Sequence, residues 1–221
     1  MALLGVPQAA HAQLAASVSV ESDYRIRGRS VSDHSPVASA RLGFDDASGI
    51  NADGSASLVA TSEDGVRLFG YQLDAGFATR LGPLWTLDVG VAHDHFRAPY
   101  QGARGYRRSE AYAGVSHGPF SAYLFASPSY GRLKSGTLYG QLEATIAPAP
   151  QWRVTAHAGA LELLDASAPF SSIYDWRLAA SRQVGGFEIH AGLSGYVPGS
   201  DAHRIGIRSH TALTAGASYS F

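Results

Sequence analysis

The sequence TALTAGASYSF, residues Thr211–Phe221, alternates between larger apolar residues and small or polar ones at every second position. The apolar positions are Leu213, Ala215, Ala217, Tyr219 and Phe221. Only a β-strand places alternate side chains on opposite faces. An apolar outer face, a small and polar inner face and a final aromatic residue are typical of the closing strand of an outer-membrane β-barrel. A strand of a soluble β-sandwich is the alternative for this stretch, so the rest of the chain decides between the two.

The composition fits either architecture and excludes several functional classes. The 221 residues suit one barrel or one large sandwich. A net charge of −1 with 16% charged residues gives no sign of a nucleic-acid or acidic partner. The absence of cysteine excludes disulfides and thiol catalysis. Mean hydropathy is −0.05, and no apolar run reaches the roughly 18 residues of a spanning helix, but a barrel hides its membrane signal in alternation.

The first residues resemble the end of a signal peptide. An apolar segment, Ala2–Val6, is followed by the small-residue pattern Ala10-His11-Ala12, which predicts cleavage before Gln13. The basic region that usually opens a signal peptide is missing. We therefore predict a signal-peptide remnant at residues 1–12 and one barrel domain at residues 13–221.

Alternation and turn residues predict about twelve antiparallel strands after residue 12, in an all-β, up-and-down transmembrane barrel. The first is predicted at Leu14–Arg27, with Tyr24 and Ile26 on its apolar face, the second at Val37–Phe44, and a weaker third at Ser55–Thr61. The others are predicted near Tyr71–Arg80, Trp85–Asp94, Ser109–His117, Phe120–Ser127, Leu138–Ile146, Trp152–Ala158, Tyr174–Ser181, Phe187–Ser194 and Thr211–Phe221.

Short and long connections alternate along most of the chain. Outer-membrane barrels show this pattern because their periplasmic turns are short and their extracellular loops are long, and both termini are then periplasmic. The predicted long loops are Gly28–Ser35, Phe96–Arg107, Pro128–Ser135, Leu163–Ile173 and Pro198–Arg208. Asp45–Gly54 departs from the pattern, because a ten-residue polar loop is predicted where a short turn belongs.

Aromatic residues recur directly after the predicted short turns. With the last strand they form a predicted interfacial girdle of Trp85, Phe120, Trp152, Phe187, Tyr219 and Phe221. Ordinary strand aromatics are the alternative. The final Phe also resembles the terminal signal read by bacterial barrel-insertion machinery, which is therefore a predicted partner.

Several blocks resemble a proteobacterial family of conserved hypothetical outer-membrane proteins, labelled Gcw_chp. Ser22–Ser30 reads SDYRIRGRS and is similar to the family's opening block, S-D-Y-R-F-R-G-x-S. Glu110–Ala122 resembles the middle block, and Ser127–Tyr130, Tyr174–Leu178 and Val184–Phe187 resemble later ones. The resemblance implies an outer-membrane barrel over nearly all of the mature chain. It implies no established activity, and the long loop at Phe96–Arg107 departs from the family pattern.

The predicted inner wall carries charges of both signs. Its candidate lumen residues are Glu21, Asp23, Arg25, Arg27, Arg41, Asp74, Arg80, Asp88, Glu143, Arg153, Asp175, Arg177 and Glu188, with Asp94 and Glu110 on the same polar face. Paired and hydrogen-bonded, these groups would form a polar plug, which is the preferred prediction. A narrow aqueous pore lined by the same residues is the alternative. The number of strands alone does not distinguish a plugged barrel from an open one.

The sequence supports catalysis and metal binding less strongly than it supports a barrel with a charged lumen. The sole Asn, Asn51, falls in a predicted periplasmic turn, so the His, Ser and Asn arrangement of outer-membrane phospholipase A is lacking, and the His-x-Ser pattern of lipid A deacylases is absent. A Ser-His-acid set assembled from different strands stays open, because triads are defined by geometry. His93-Asp94-His95 places two imidazoles on one strand face, but that face is predicted to meet lipid. We predict no enzyme activity, metal or cofactor.

The sequence therefore predicts an outer-membrane barrel that is structural or forms a narrow pore for small solutes or ions. A non-conducting binding or assembly module with an envelope partner is the second hypothesis, and a lipid-modifying enzyme the third. Outer-membrane lipid and lipopolysaccharide are predicted partners, and nucleic acid is not. A basic loop could bind lipopolysaccharide phosphates or be merely solvated; it contains Arg97, Tyr100, Arg104, Tyr106, Arg107 and Arg108.

Overall fold

The protein forms a closed antiparallel β-barrel of twelve strands. This computed structural model describes residues 13–62, 64–99, 105–129, 135–165, 171–199 and 208–221. The wall strands are β1 (Gln13–Glu21), β4 (Val37–Asp45), β5 (Ile50–Thr61), β6 (Gly65–Arg80), β7 (Trp85–Phe96), β8 (Tyr106–His117), β9 (Phe120–Ser127), β10 (Thr137–Ala149), β11 (Trp152–Leu163), β12 (Ser172–Val184), β13 (Phe187–Pro198) and β14 (His210–Ser220). A separate two-stranded sheet pairs β2 (Arg25–Ile26) with β3 (Arg29–Ser30). The predicted twelve-stranded up-and-down barrel is confirmed.

The first and last wall strands pair with each other and close the ring. Val18 lies opposite Tyr219 in this antiparallel seam, and the amide of Phe221 donates a hydrogen bond to the carbonyl of Ala16 at 2.9 Å. In the described part of the chain, no helix is long and apolar enough to cross a membrane. The predicted signal-peptide remnant, residues 1–12, lies outside the described residues.

The outer surface of the barrel is apolar on every side. Leu73 is 54% exposed, Leu178 52% and Leu213 72%, although each sits in the middle of a long paired strand. Their neighbours along each strand point inward, as the two-residue period of a strand requires. An apolar surface of this extent needs a hydrocarbon environment, because a soluble monomer rarely exposes more than a few hundred Å² of contiguous apolar area.

The first strand is shorter than predicted. It ends at Glu21, and the amide of Ser22 donates to the carbonyl of Ala215 on β14 at 2.9 Å. The chain then turns into the barrel as the β2–β3 hairpin, whose two-residue turn, Arg27-Gly28, has positive φ at both positions (48° and 71°). A tight hairpin with that turn folds back on itself rather than continuing the wall. The prediction that β1 extends to Arg27 is therefore wrong.

The predicted orientation of two apolar residues is wrong for the same reason. Tyr24 and Ile26 do not meet lipid; they pack inside the barrel against a buried cluster. That cluster consists of Val37, Val59, Phe69 and Phe96. The inner wall is therefore apolar where the hairpin packs against it, whereas the sequence pattern predicts a polar surface there.

The predicted long loop at Asp45–Gly54 is a turn of four residues. β4 ends at Asp45 and β5 begins at Ile50. The turn is closed by a backbone hydrogen bond from Asp46 to Ile50 at 2.9 Å and by the left-handed Gly49, with φ of 99°. The first part of this strand is not apparent from the sequence because its outward positions after Ile50, Ala52 and Gly54, are too small to show an apolar alternation.

The connections otherwise follow the predicted alternation. The end that carries the four-residue and shorter turns is the periplasmic end, by the rule for outer-membrane barrels. One connection at the opposite end is short, since β5 and β6 are separated only by residues 62–64. β8 begins at Tyr106, so Arg107 and Arg108 belong to the wall and not to the predicted basic loop; Tyr100 and Arg104 lie outside the described residues.

Candidate functional site: the barrel lumen

The tip of the β2–β3 hairpin is held by a buried chain of charged groups. The Arg27 guanidinium donates to both carboxylate oxygens of Glu110 on β8, at 2.9 and 2.7 Å. Arg108 contacts the same carboxylate at 3.3 Å and also pairs with Asp94 on β7. The side chains of Arg27 and Glu110 are only 7% and 0% exposed. A charge pair removed from water is stable only when it is closely paired and hydrogen-bonded.

Asp23 organises the base of the hairpin. Its carboxylate accepts hydrogen bonds from Ser30 at 2.5 Å, Ser32 at 3.1 Å and Arg25 at 2.8 Å. Burial by itself raises the pKa of this carboxyl group, but the hydrogen bonds from Ser30 and Arg25, together with the charge of Arg25, lower the pKa below its ordinary value. Asp23 is therefore an ionised anchor that ties both arms of the hairpin together.

Aromatic contacts complete the attachment of the hairpin. The guanidinium carbon of Arg27 lies 3.6 Å from the ring centroid of Tyr139, and the Tyr24 ring lies 5.3 Å from that of Phe96. The Tyr24 hydroxyl also hydrogen-bonds to Gln72, which donates to Asp94 at 3.0 Å. Because these partners come from several wall strands, the hairpin is docked inside the lumen, toward its extracellular end.

An open, water-accessible cavity of about 850 Å³ extends through the lumen from the periplasmic side up to the hairpin. The ion pairs on its periplasmic side are exposed, with the arginine side chains between half and two-thirds accessible to solvent. The pairs and their N···O distances are Arg41–Asp53 at 2.5 Å, Arg153–Glu188 at 3.1 Å and Arg177–Glu143 at 3.6 Å. The lumen thus has two zones: a buried network of charges around the docked hairpin, and a solvated zone with exposed ion pairs on its periplasmic side.

Tyrosines lie flat against the inner wall and leave this cavity open. Each spans a neighbouring strand and donates its hydroxyl to an aspartate two strands away; the pairs are Tyr112–Asp74 (3.0 Å), Tyr123–Asp88 (3.0 Å) and Tyr139–Asp175 (3.2 Å). A glycine sits under each ring, since a Cβ there would overlap the tyrosine; these glycines are Gly90, Gly114 and Gly159. We call each tyrosine, glycine and aspartate set a three-strand clasp.

A histidine forms a fourth contact of this type. Nε2 of His190 on β13 lies 2.9 Å from the Glu21 carboxylate on β1, and a Cβ at the intervening Gly216 would lie about 2.5 Å from both groups. This contact bridges β14, the strand that closes the ring. Strand glycines, which normally weaken a sheet, therefore mark the places where a polar side chain must cross the wall surface.

The candidate lumen residues occupy different places. Ten of them line the cavity: Glu21, Asp23, Arg25, Arg27, Arg41, Asp74, Arg153, Asp175, Arg177 and Glu188. Asp88 and Glu143 lie on the inner wall beside it, whereas Arg80 is exposed at the periplasmic end of β6. Asp23, Arg25 and Arg27 reach the lumen from the hairpin and not from the wall.

Sequence reasoning missed several inner-wall groups. Asp53 and Arg108 were assigned to loops, although period-two alternation places both on inward positions once the strands are extended. Tyr112 and Tyr123 had no assigned orientation, and Tyr139 had no assigned partner. The recurrence of glycines in strands that neighbour these tyrosines could have indicated the contacts. An analysis of hydrophobic alternation does not detect glycines of this kind.

The histidine pair on β7 faces outward. The His95 ring stacks on Tyr71 with centroids 5.5 Å apart, and His93 contacts Ser109 at 2.7 Å, whereas Asp94 between them points into the lumen. Strand alternation therefore separates the carboxylate from both imidazoles. Among the described residues, no group of three or more His, Cys, Asp or Glu side chains is arranged to hold a metal ion.

The predicted girdle residues lie at the periplasmic end of the barrel. Trp85, Phe120, Trp152 and Phe187 are the first residues of β7, β9, β11 and β13. All four are exposed, and so is Phe221. The Tyr219 ring contacts both Phe187 and Phe221 with centroids 5.0 Å apart. The structure therefore places these aromatic residues at the same end of the barrel. Their contact with the membrane interface stays a prediction.

A closed barrel with an apolar exterior and a polar, partly solvated interior defines the class of protein: a transmembrane β-barrel of the bacterial outer membrane. A family model described as "Bacterial protein of unknown function (Gcw_chp)" matches residues 7–208. The chain belongs to this family, and the resemblance inferred from the sequence blocks is confirmed.

Solved structures with the same fold include named porins and channels. The NanC porin is 10% identical with a TM-score of 0.60, and the KdgM porin is 12% identical with a TM-score of 0.56; each match covers 94% of this chain and 99% of the porin. The COG4313 outer membrane channel from Pseudomonas putida F1 is 11% identical with a TM-score of 0.54, over 99% of this chain and 100% of the channel. No curated protein matches the sequence.

Proposed function

We propose that the protein is a narrow outer-membrane channel for small hydrophilic solutes. The observation that carries this proposal is the solvated cavity of about 850 Å³ in the lumen, lined in part by exposed ion pairs. A barrel that served only as a structural element would gain stability from a filled interior, and here much of the lumen is open. The β2–β3 hairpin then acts as the constriction that sets the size of the solute.

The charge inventory of the cavity limits the solute class. Among the described residues, the cavity lining has seven carboxylates and six guanidinium groups, which nearly balance. A long polyanion would need an excess of cationic groups along its path. The structural likeness to the NanC and KdgM porins supports a channel architecture, and the near-balance of charge here favours small solutes without a large net charge.

Conductance in planar bilayers tests the proposal. The parent protein should give small, reproducible open-channel currents. A variant in which residues 23–34 are replaced by a short Gly-Ser connection should conduct several times more, because the constriction is gone. Gly140→Ala is the matched control, since a Cβ at this position meets nothing within 4 Å. Silence from both the parent and the shortened variant would refute the channel.

The buried hairpin network supports a second candidate, a non-conducting binding or assembly module. The Glu110 side chain is fully buried against Arg27, so the hairpin is firmly docked. On this hypothesis the parent is silent in bilayers and only the shortened variant conducts. The same recording therefore separates the two functions.

We also propose partners for the outer surface. The apolar exterior contacts outer-membrane lipid and lipopolysaccharide, and the closing strand with its terminal aromatic residue is the feature that the barrel-insertion machinery would recognise. The exposed aromatics at the periplasmic end support this proposal. The lumen is assigned a transport role and no catalytic step.

A further inference from the structure

One side of the cavity carries carboxylates that are not neutralised by cations. Asp74 on β6 and Asp88 on β7 each accept a hydrogen bond from a tyrosine hydroxyl, and within the described residues neither forms an ion pair. Asp53 on the adjacent β5 pairs with Arg41, whose side chain is 64% exposed. A phenol compensates a carboxylate by one hydrogen bond and leaves its negative charge in place. This side of the lumen, from β5 to β7, is called the acidic wall.

The opposite side presents guanidinium groups to the water. In the ring of twelve strands, β11, β12 and β13 lie six places from β5, β6 and β7, which is half a turn around the barrel. Arg153 and Arg177 are 56% and 51% exposed, whereas their partners Glu188 and Glu143 are 31% and 33% exposed. The cations therefore face the cavity more fully than the carboxylates of this side, including Asp175 on β12, which is only 2% exposed and contacts His157 at 2.9 Å. This side is called the basic wall.

We propose that the cavity selects small zwitterionic solutes, with an ammonium group toward the acidic wall and a carboxylate toward the basic wall. The inference rests on the proposed channel function and names its substrate class. Opposed charges across a narrow passage produce a transverse field, and a dipolar solute aligned with that field is stabilised. An uncharged solute of the same size gains no stabilisation from the field. A singly charged solute is attracted to one wall and repelled by the other.

The shape of the lumen agrees with this orientation. The tyrosine rings of the three-strand clasps lie against the wall, so they leave the space between the two walls open. Asp53, Asp74, Arg153 and Arg177 all line the same cavity. A solute on the periplasmic side of the hairpin therefore lies between the two walls.

Swelling of proteoliposomes tests the inference with chemically defined probes. The solutes are γ-aminobutyrate, a neutral polyol of similar size and an organic monocation of similar size. The parent should admit γ-aminobutyrate about threefold to fivefold faster than the polyol, which corresponds to a charge interaction of moderate strength in a partly solvated pore. Asp74→Asn and Arg177→Gln should each remove most of this preference, so that γ-aminobutyrate enters at nearly the rate of the polyol measured in the same variant.

Two controls keep the outcomes distinct. Arg80→Gln removes a positive charge at the exposed end of β6, away from the cavity, and should retain the preference. Heat-modifiable gel migration verifies that each variant is folded, and Arg153→Gln replaces Arg177→Gln if that variant does not fold. Polyol entry without a zwitterion preference would overturn this inference and leave the channel intact. Faster entry of the monocation than of γ-aminobutyrate would also overturn it, and entry of no probe would overturn the channel itself.

Discussion

At the scale of single residues, burial divides the lumen arginines into two kinds. Arg25 and Arg27, on the hairpin, are 6% and 7% exposed, whereas Arg153 and Arg177, on the wall, are more than half exposed. The polar plug and the aqueous pore, which the sequence offered as alternatives, therefore describe different zones of one lumen. The buried arginines belong to the plug and the exposed arginines to the pore. A single substitution probes whichever zone its residue occupies.

Arg25→Ala and Arg177→Ala should consequently give different results. Loss of Arg25 leaves the Asp23 carboxylate without its buried cation, which costs about 3–5 kcal/mol in the free energy of unfolding. Loss of Arg177 affects a solvent-screened pair, so the free energy should change by about 1 kcal/mol or less while ion selectivity shifts. Urea midpoints and reversal potentials measure the two quantities. Equal losses of stability in both variants would contradict the two-zone lumen.

The glycines under the clasps are a second residue-scale test. In Gly114→Ala the new methyl group overlaps the Tyr123 ring, which must move away from Asp88, and a loss of about 1–3 kcal/mol in unfolding free energy is expected. Gly140→Ala is the matched control on β10, where the methyl group meets nothing within 4 Å and restricts only the unfolded chain. Thermal unfolding followed by circular dichroism should separate them; similar melting temperatures would refute the clasp.

At the scale of elements, the hairpin should respond to acid through Asp23. Its folded-state pKa lies below the ordinary value, so its ionised form stabilises the docked hairpin above that value. This contribution is lost as the pH falls below about 4 and through the folded pKa. Amide exchange at Tyr24 and Val31, whose amides are hydrogen-bonded within the hairpin, should accelerate relative to wall amides in that range.

Asp23→Asn isolates this group from the other acids near the hairpin. The variant should exchange faster at neutral pH and should show a smaller acid-induced increase, because one titrating anchor is gone. His34 lies 3.2 Å from the same carboxylate, so His34→Gln is the companion control for any histidine contribution. An unchanged acid response in Asp23→Asn would show that another carboxylate controls the hairpin.

The sequence predicted the wall strands better than the hairpin, for a physical reason. Alternation reports which residues share a face, and from Leu14 to Arg27 it is broken only at Ser22. One polar residue on the apolar face does not distinguish a strand that continues from one that turns into the lumen after Glu21. The turn itself lacks the Asn-Gly signal, since Arg27 supplies the first left-handed residue. The lumen charges were found by the same alternation, but their pairing depends on contacts between distant strands.

The lipid-facing strand positions allow a direct test of register. Leu73→Arg or Leu178→Arg places a charge in the hydrocarbon and should lower the free energy of unfolding by about 2–4 kcal/mol near the midplane. Ser181→Arg is the contrasting variant, because Ser181 is 9% exposed and lines the lumen. Its effect should come from crowding and should be insensitive to bilayer thickness. Depth-sensitive fluorophores at Leu73 and Leu178 that report water would refute the assigned faces.

At the scale of the whole molecule, ring closure depends on the last strand. The Phe221 amide bonds to Ala16 on β1, and its ring contacts Tyr219. Replacing Tyr219 and Phe221 by Ser, or deleting Phe221, removes interfacial anchors at the closing seam and should reduce the fraction of protein inserted into membranes. Heat-modifiable migration on gels measures that fraction, and normal migration of the serine variant would count against this role.

The position of the hairpin also has a consequence for the order of folding events. The β1–β14 seam has five paired positions, whereas β12 and β13 share twelve. Immediately after β1, Ser22 bonds to Ala215 across this short seam, and the hairpin beyond it reaches Glu110 on β8. We expect the hairpin to dock after the ring has closed, because it reaches across the lumen to β8, and once docked it acts as a latch on this shortest junction. Its contribution should therefore appear mainly in the kinetic barrier to unfolding, since the ring cannot reopen at the seam until the latch is released.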